Sequence, residues 1–423
     1  MSITSVITAD KPAADLKCRF CGHEPLETFV NLGLSPLCQT HVEPERLGEP
    51  ETYYPLHAYV CPRCFLVQLQ QFVAPAEIFS EYAYFSSYAD SWVAHARAYC
   101  EHMRAHFGIG AGSRVIEIAS NDGYLLQHFQ PHGVQVLGVE PAANVAAAAQ
   151  AKGIPTTVRF FGSQSARELA AEFGAPDLLL GNNVLAHVPD LNDFVAGMKI
   201  LLAPQGVITM EFPHLLELMQ HNQFDTIYHE HFSYFSFGTV QEVFARHGLT
   251  LFDVERLPTH GGSLRIYGCH AGAGARPISS RAHELLRIET AFGMRKLSTY
   301  AAFGEQVRET KRALLEFLIG LKRGGKRIVG YGAPGKGNTL LNYCGIGTDF
   351  LDFTVDRNPY KQGKFTPGMR IPILAPEALV AARPDYILIL PWNLKDEILA
   401  TVGNMPGLAA RFVVPIPRVA VVG

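Results

Sequence analysis

The densest chemistry in the chain is Tyr228-His229-Glu230-His231. A folding core does not ask for four adjacent hydrogen-bonding or titratable side chains. A histidine can take a proton near neutral pH, and a neighbouring carboxylate can orient it and support its protonated form. His-x-His on a strand would put both rings on one face, where they could hold a metal. No third ligand spacing accompanies the pair, so acid–base work is the favoured reading. A second chemistry is carried by Cys18-Arg-Phe-Cys21 and Cys61-Pro-Arg-Cys64. Two tight knuckles of this kind aim four sulfurs at one point, the set that tetrahedral Zn²⁺ requires. Four thiolates leave the metal no open position. The site is therefore expected to be structural, in a small domain whose folding depends on zinc. Cys38, Cys100, Cys269 and Cys344 are scattered and read as packed thiols.

The scaffold for this chemistry is legible between Arg114 and Pro141. VIEIA reads as a buried strand, Ser120-Asn121-Asp122-Gly123 as a tight turn, YLLQHF as the first turns of a helix, and VQVLGV as a second strand followed by Glu140. Strand, turn, helix and a strand closing on an acid make half of a nucleotide-binding α/β unit. Gly123 can take positive φ, which lets the turn's N–H groups approach a ligand. Glu140 can accept hydrogen bonds from a ribose diol. An ordinary crossover with a solvated acid is the plainer alternative; acid and turn together favour a nucleoside cofactor. The dinucleotide pattern G-x-G-x-x-G is absent, because its positions run Ala119, Asn121 and Tyr124. Glu117-x-Ala119-x-Asn121-Asp122-Gly123 instead resembles the first motif of class I S-adenosylmethionine (SAM) methyltransferases, which usually carry glycine where Ala119 stands. Further on, DLLLGNN reads as a strand whose carboxyl end sets Asn182, Asn183 and His187 beside the cofactor. A loop-supporting hydrogen bond is the competing role for His187. GVITMEFP is the next strand, with Glu211 at its end.

Other stretches are less specific. Tyr82, Tyr84 and Tyr88 recur in a segment that joins two domains, where clefts form. Thr259-His-Gly-Gly-Ser-Leu-Arg265 lies between two strands, and its glycines could let backbone near His260, Ser263 and Arg265 approach a substrate; a hairpin turn is the simpler reading. Ser279–Lys326 is helical in pattern, with Leu314, Leu315, Phe317, Leu318 and Leu321 at three- and four-residue spacing. Gly330, Gly332 and Gly335 do match G-x-G-x-x-G, and FLDFTV runs into Asp356, which alone would suggest NAD. Pro334 and Lys336 are untypical of a dinucleotide turn, whereas a glycine turn with Lys336 at a helix start suits a pyrophosphate generally. Asn338, Asn358 and Lys361 are candidates for the same cleft.

The length of 423 residues allows two or three domains with proper cores. A net charge of −3 gives no reason to expect nucleic acid or an anionic membrane as partner. The N-terminus has no signal-peptide character, and no run is long enough to span a bilayer. The chain therefore reads as cytoplasmic, where its 8 cysteines are metal ligands or thiols rather than disulfides.

Taken in order, the paired cysteines, EIASNDGYLL, YHEHFSYFS, THGGSLR and GYGAPGKGN resemble the sugar C-methyltransferases of deoxysugar biosynthesis over nearly the whole chain. The resemblance implies an α/β protein of three parts: a small zinc-binding domain (1–75), a class I SAM methyltransferase domain (76–255), and a C-terminal Rossmann-like domain (256–423) that closes over a nucleotide-sugar. It implies methylation of the carbon beside the keto group of a nucleotide-linked 4-ketodeoxysugar, through an enolate. Tyr228, Glu230 and His231 would form the catalytic group, with His231 as base and Glu230 holding it. Tyr228 or His187 would meet the enolate oxygen, and Tyr82 or Tyr84 would face the substrate. SAM would be held by Glu117, Ala119, Asn121, Asp122, Gly123, Glu140, Asn182 and Asn183. The sugar nucleotide would be held by Tyr84, His260, Ser263, Arg265, Lys336 and Asn338. Nothing demands assembly, so a monomer is expected. Two other readings stand beside this one: an NAD-linked oxidoreductase acting on a nucleotide-sugar, and a non-catalytic zinc-containing scaffold.

Overall fold

Three sheets form in the computed structural model, which describes residues 16–79, 85–272 and 274–422. Near the N-terminus, β1 (Glu27–Ser35), β2 (Tyr54–Val60) and β3 (Val67–Leu69) form an antiparallel meander. The central sheet takes β4 (Arg114–Ile118), β5 (Gln135–Val139), β6 (Thr156–Thr157), β7 (Leu178–Asn182) and β8 (Val207–Pro213), all parallel. The chain then leaves this sheet. A two-residue strand, β9 (Ser233–Tyr234), pairs antiparallel with β3 and completes the N-terminal sheet. Next, β10 (Leu249–Leu257) and β11 (Ser263–His270) return to the central sheet, giving the order β10-β11-β8-β7-β4-β5-β6. Within this sheet, as described, β11 alone runs against the direction of the other strands. This is the strand order of class I methyltransferases. β7 is buried along its whole length, as a strand covered on both faces must be. The order reverses between β4 and β7, so a crevice opens at their carboxyl ends.

A third sheet is built from β12 (Ile328–Tyr331), β13 (Thr354–Val355), β14 (Ile373–Leu374), β15 (Tyr386–Ile389), β16 (Arg411–Val414) and β17 (Ala420–Val422). Its order is β14-β13-β12-β15-β16-β17, parallel except for the β17 edge. Its switch point lies between β12 and β15. The helix Leu297–Arg323 binds this sheet to the first one. Its buried residues Tyr300, Phe303, Val307, Thr310, Leu314 and Leu318 repeat at helical spacing, and Phe303 stacks on Phe29 of β1 with centroids 4.7 Å apart. One continuous apolar core therefore runs from the N-terminal sheet through this helix into the C-terminal sheet. Among the described residues, no helix is long and apolar enough to cross a membrane.

Three local expectations need correction. The helix read from YLLQHF is replaced by two 3-10 turns, Leu126–His128 and Gln130–His132, because Pro131 has no N–H to extend a ladder and Gly133 turns away at φ 71°. The division at 255/256 falls inside β10, and β11, placed in the C-terminal part, is hydrogen-bonded between β10 and β8. The Tyr228–His231 run is a turn rather than a strand, so its two histidines diverge.

Candidate active site

A cavity of about 640 Å³ opens at the carboxyl ends of β4 and β7, and all three parts of the chain line it. Gln39 enters from the N-terminal part, and Gly335, Lys336 and Lys361 from the C-terminal part. One end is the turn after β4. There Ala119, Asn121 and Gly123 have φ of 57°, 50° and 76°. Ala119 stands in a conformation that glycine adopts freely, which accounts for the glycine usual at this place in the motif. At Gly123 an added Cβ would come within 2.8 Å of Ile154. Glu140 ties the turn down: its carboxylate accepts the N–H of Asn121 and of Ala142, each at 2.9 Å. Burial pushes the Glu140 carboxyl above its ordinary range, against the pull of these two bonds. Beneath the turn, Glu117 is fully buried, and neither carboxylate oxygen finds a hydrogen-bond partner among the described residues. Burial holds its pKa well above normal. The Asn182 amide nitrogen is likewise unpartnered. A turn at positive φ, an acid at the end of the next strand and unsatisfied buried polar atoms fit an amino-acid-bearing nucleoside such as SAM.

The other end of the cavity holds the titratable cluster. The His231 ring lies 4.0 Å from that of Tyr228 and 4.6 Å, edge-on, from that of His187. Its Nδ1 is 2.9 Å from the carbonyl of Thr226. A carbonyl only accepts, so Nδ1 carries the proton and Nε2 keeps its lone pair. Burial lowers the His231 pKa well below the usual value, and the His187 ring adds to this. Burial, joined at His260 by the charge of Lys336, brings His187 and His260 to about 4, so both rings are neutral. His260 is reached from the β10–β11 turn, itself at φ 55°, and its Nε2 lies 3.2 Å from the Asn183 amide. Trp92 covers it with centroids 5.2 Å apart. Glu230 also lines the cavity, and Cys38 donates its thiol to it at 3.4 Å.

Several expected site residues sit elsewhere. His229 faces the N-terminal sheet, with Nε2 3.2 Å from the Pro55 carbonyl, and shares no face with His231. The group that fixes His231 is the Thr226 carbonyl rather than Glu230. Asp122 points away from the cavity to Ser87 and Lys152. Arg265 is buried between Glu211 at 3.0 Å and Glu255 at 3.2 Å, and Ser263 bonds the Thr259 carbonyl; both support the His260 turn from behind. Asn338 donates to the Cys38 carbonyl at 2.6 Å and lies outside the lining. Tyr88 is 59% exposed and off the cavity. Tyr82 and Tyr84 lie outside the described residues. Asp356 accepts from Ala333 and Asn358, each at 2.8 Å, the same tie that Glu140 makes in the central sheet. Sequence reasoning passed over Gln39, Thr226 and both tryptophans; scarcity was the available signal, since the chain has only 2 Trp.

Away from the cavity, Cys18, Cys21, Cys61 and Cys64 bring their sulfurs within 4.8 Å of one another. The Cys18–Cys64 and Cys21–Cys61 sulfurs are 3.5 Å apart, too far for disulfides and close to the edge of roughly 3.8 Å that Zn–S bonds of about 2.3 Å would give. Each knuckle closes on a residue at positive φ, Gly22 at 72° and Phe65 at 59°. The donor set fits a structural zinc ion.

Sheet order and cavity together define a class I methyltransferase with a zinc-binding unit on one side and a second α/β unit on the other. The comparisons agree. Residues 18–79 match a putative zinc-binding domain, 92–254 a methyltransferase domain, and 258–417 a C-methyltransferase C-terminal domain. C-methyltransferase NovU of Streptomyces niveus is 37% identical over 95% of this chain and 96% of its own. A ubiquinone biosynthesis O-methyltransferase of Rhodopseudomonas palustris is 27% identical over 24% of this chain and 40% of its own. Among solved structures, PH0226 of Pyrococcus horikoshii covers 47% of this chain and 99% of its own at 16% identity, with a TM-score of 0.36. The chain belongs to the C-methyltransferase family. It is a SAM-dependent enzyme with a structural zinc site.

Proposed function

We propose that this enzyme methylates the carbon next to the keto group of a nucleotide-linked 4-ketodeoxysugar, with His231 as the base. The observation that carries the reading is the state of His231: neutral, with Nδ1 bonded to the Thr226 carbonyl and Nε2 free, in the cavity that also holds the Glu140 turn. A saturated carbon is no nucleophile until it loses a proton, and a neighbouring carbonyl makes that loss feasible by taking the charge onto oxygen. His231 Nε2 removes the proton. The enolate forming beside it, with Glu230 close by, stabilises the imidazolium and offsets the cost of charging a buried ring. Tyr228 borders His231 and can donate to the enolate oxygen, where transition-state charge develops, while the neutral His187 ring packs edge-on against the base. SAM, when bound, supplies an electrophilic methyl group. Glu140 and the turn from Ala119 to Gly123 hold its nucleoside, while Glu117 and Asn182 lie where its amino-acid end can be met. Lys336 and Lys361 give the C-terminal side of the cavity positive charge suited to a diphosphate. Holding both substrates in reactive contact supplies much of the rate.

The test is mass spectrometry after incubation with SAM and a panel of nucleotide-4-ketosugars. The expected result is a sugar heavier by one CH₂, with S-adenosylhomocysteine formed in step. A panel with no mass gain while SAM still binds would refute the ketosugar class. His231→Asn should retain SAM binding and lose turnover; turnover near normal would remove the base from His231.

A further inference from the structure

Trp392 stands in the 3-10 turn Trp392–Leu394, just after β15 and beside the switch point of the C-terminal sheet. It is buried and outside the cavity lining, yet it meets three lining segments at once. Its indole N–H donates to Asp225 Oδ2 at 2.7 Å. Asp225 sits in the 3-10 turn Phe224–Thr226, whose last carbonyl, that of Thr226, holds His231 Nδ1 at 2.9 Å. The far edge of the ring lies against Gly261, next to His260; a Cβ there would come within 2.6 Å of it. Over its face sits the Lys336 ammonium, 4.7 Å from the ring centroid. A second tie, from Thr339 to the Ile227 carbonyl at 3.2 Å, holds the same segment to the C-terminal part.

We propose that Trp392 is a positioning residue through which the C-terminal domain sets the His231 tautomer and keeps His231, His260 and Lys336 in register. The indole fixes Asp225, Asp225 anchors the turn that ends on Thr226, and the Thr226 carbonyl selects the Nδ1–H form that leaves Nε2 free. The kinetic part of this proposal rests on the reading of His231 as base; the tautomer part does not.

The experiment uses full-length protein with zinc bound. Imidazole ¹⁵N–¹H correlation spectra are recorded, with the His231 signals identified by their loss in His231→Asn. Trp392→Phe keeps an aromatic face and deletes the N–H. Asp225→Leu removes the acceptor and leaves Trp392 in place, and Asp225→Asn keeps an acceptor oxygen. The wild type is expected to show His231 as the Nδ1–H tautomer. Trp392→Phe and Asp225→Leu should each mix the tautomers and lower kcat about 10- to 100-fold, the scale of a sub-ångström to 1 Å misplacement. The Kd for SAM should stay within about twofold, because the SAM turn belongs to β4 and β5. Asp225→Asn should keep both the tautomer and most of kcat. An unmoved His231 signal with kcat within about twofold in either substitution would overturn the proposal. So would loss of folding in both, which would make the indole a structural wedge only. An active His231→Asn would remove the base reading while the tautomer result still decides the role of Trp392.

Discussion

Replacing Glu140 by Gln isolates what one carboxylate does for the cofactor turn. An ionised carboxylate offers about four acceptor positions. In Glu140 two are taken by the N–H groups of Asn121 and Ala142, both at 2.9 Å, and the group borders the cavity with the remainder. Glutamine keeps one oxygen and presents an NH₂ to the other N–H, so donor meets donor. One charge-assisted hydrogen bond is lost, worth about 1.5–3 kcal/mol. That bond also restrains a turn with two non-glycine residues at positive φ, a conformation costing roughly 1–3 kcal/mol per residue. If the loss falls on the cofactor-competent turn, Kd for SAM rises about 10- to 150-fold. Isothermal titration calorimetry with SAM or S-adenosylhomocysteine measures it. The wild-type affinity should also weaken as pH falls, because binding needs the ionised form and burial has raised the pKa of Glu140. The ionised form is present above that pKa and lost below it, so the decline begins at a higher pH than for a surface carboxylate, and Glu140→Gln flattens it. An unchanged Kd would refute the assignment of Glu140 to the nucleoside.

The acid limb of kcat/KM should lie below the ordinary histidine value of about 6.5, since a lowered pKa keeps His231 neutral until the solution is more acidic. A limb at 6.5 or above would mean that another group is being titrated. Arg265→Met should destabilise the fold by about 3–5 kcal/mol, because it leaves Glu211 and Glu255 without their shared cation. Denaturant melts check this, and a stable variant with a raised KM would restore Arg265 to the substrate. Zinc analysis should find one ion per chain, and its removal should abolish turnover although no cysteine borders the cavity, because β9 begins two residues after His231. Full activity without metal would contradict this coupling.

The motifs that bind through local spacing were legible in the chain. A strand, a turn and an acid twenty-odd residues on define a cofactor turn by short-range geometry, and C-x-x-C pairs announce a shared point in space. What the chain hid was orientation. The Tyr228–His231 run reads as chemistry, but whether Glu230 or a carbonyl holds the histidine depends on the path of the backbone at Thr226. Arg265 and Ser263 stand in the same motif as His260, yet they lie two apart on β11 and share one face, where bonds to Glu211 and to the Thr259 carbonyl make them brace the turn from behind. Asn338 starts a helix beside Lys336, and packing against Cys38 claims its amide. Trp392 is 167 residues from Asp225, whose side chain it bonds, and no local pattern relates the two.

The pairing of β3 with β9 also has a temporal consequence. Val67 and Gln68 wait for Tyr234 and Ser233, about 160 residues further along. At a synthesis rate of about 5–20 residues per second, the edge of β3 stays open on the ribosome for roughly 10–30 seconds after it emerges. During that interval the cysteine knuckles are already complete and can capture zinc, while the β3 edge remains available to other chains. Metal supply during translation would then govern how many nascent chains reach the closed sheet, and a shortage would show as aggregation of new protein before any loss from the mature pool.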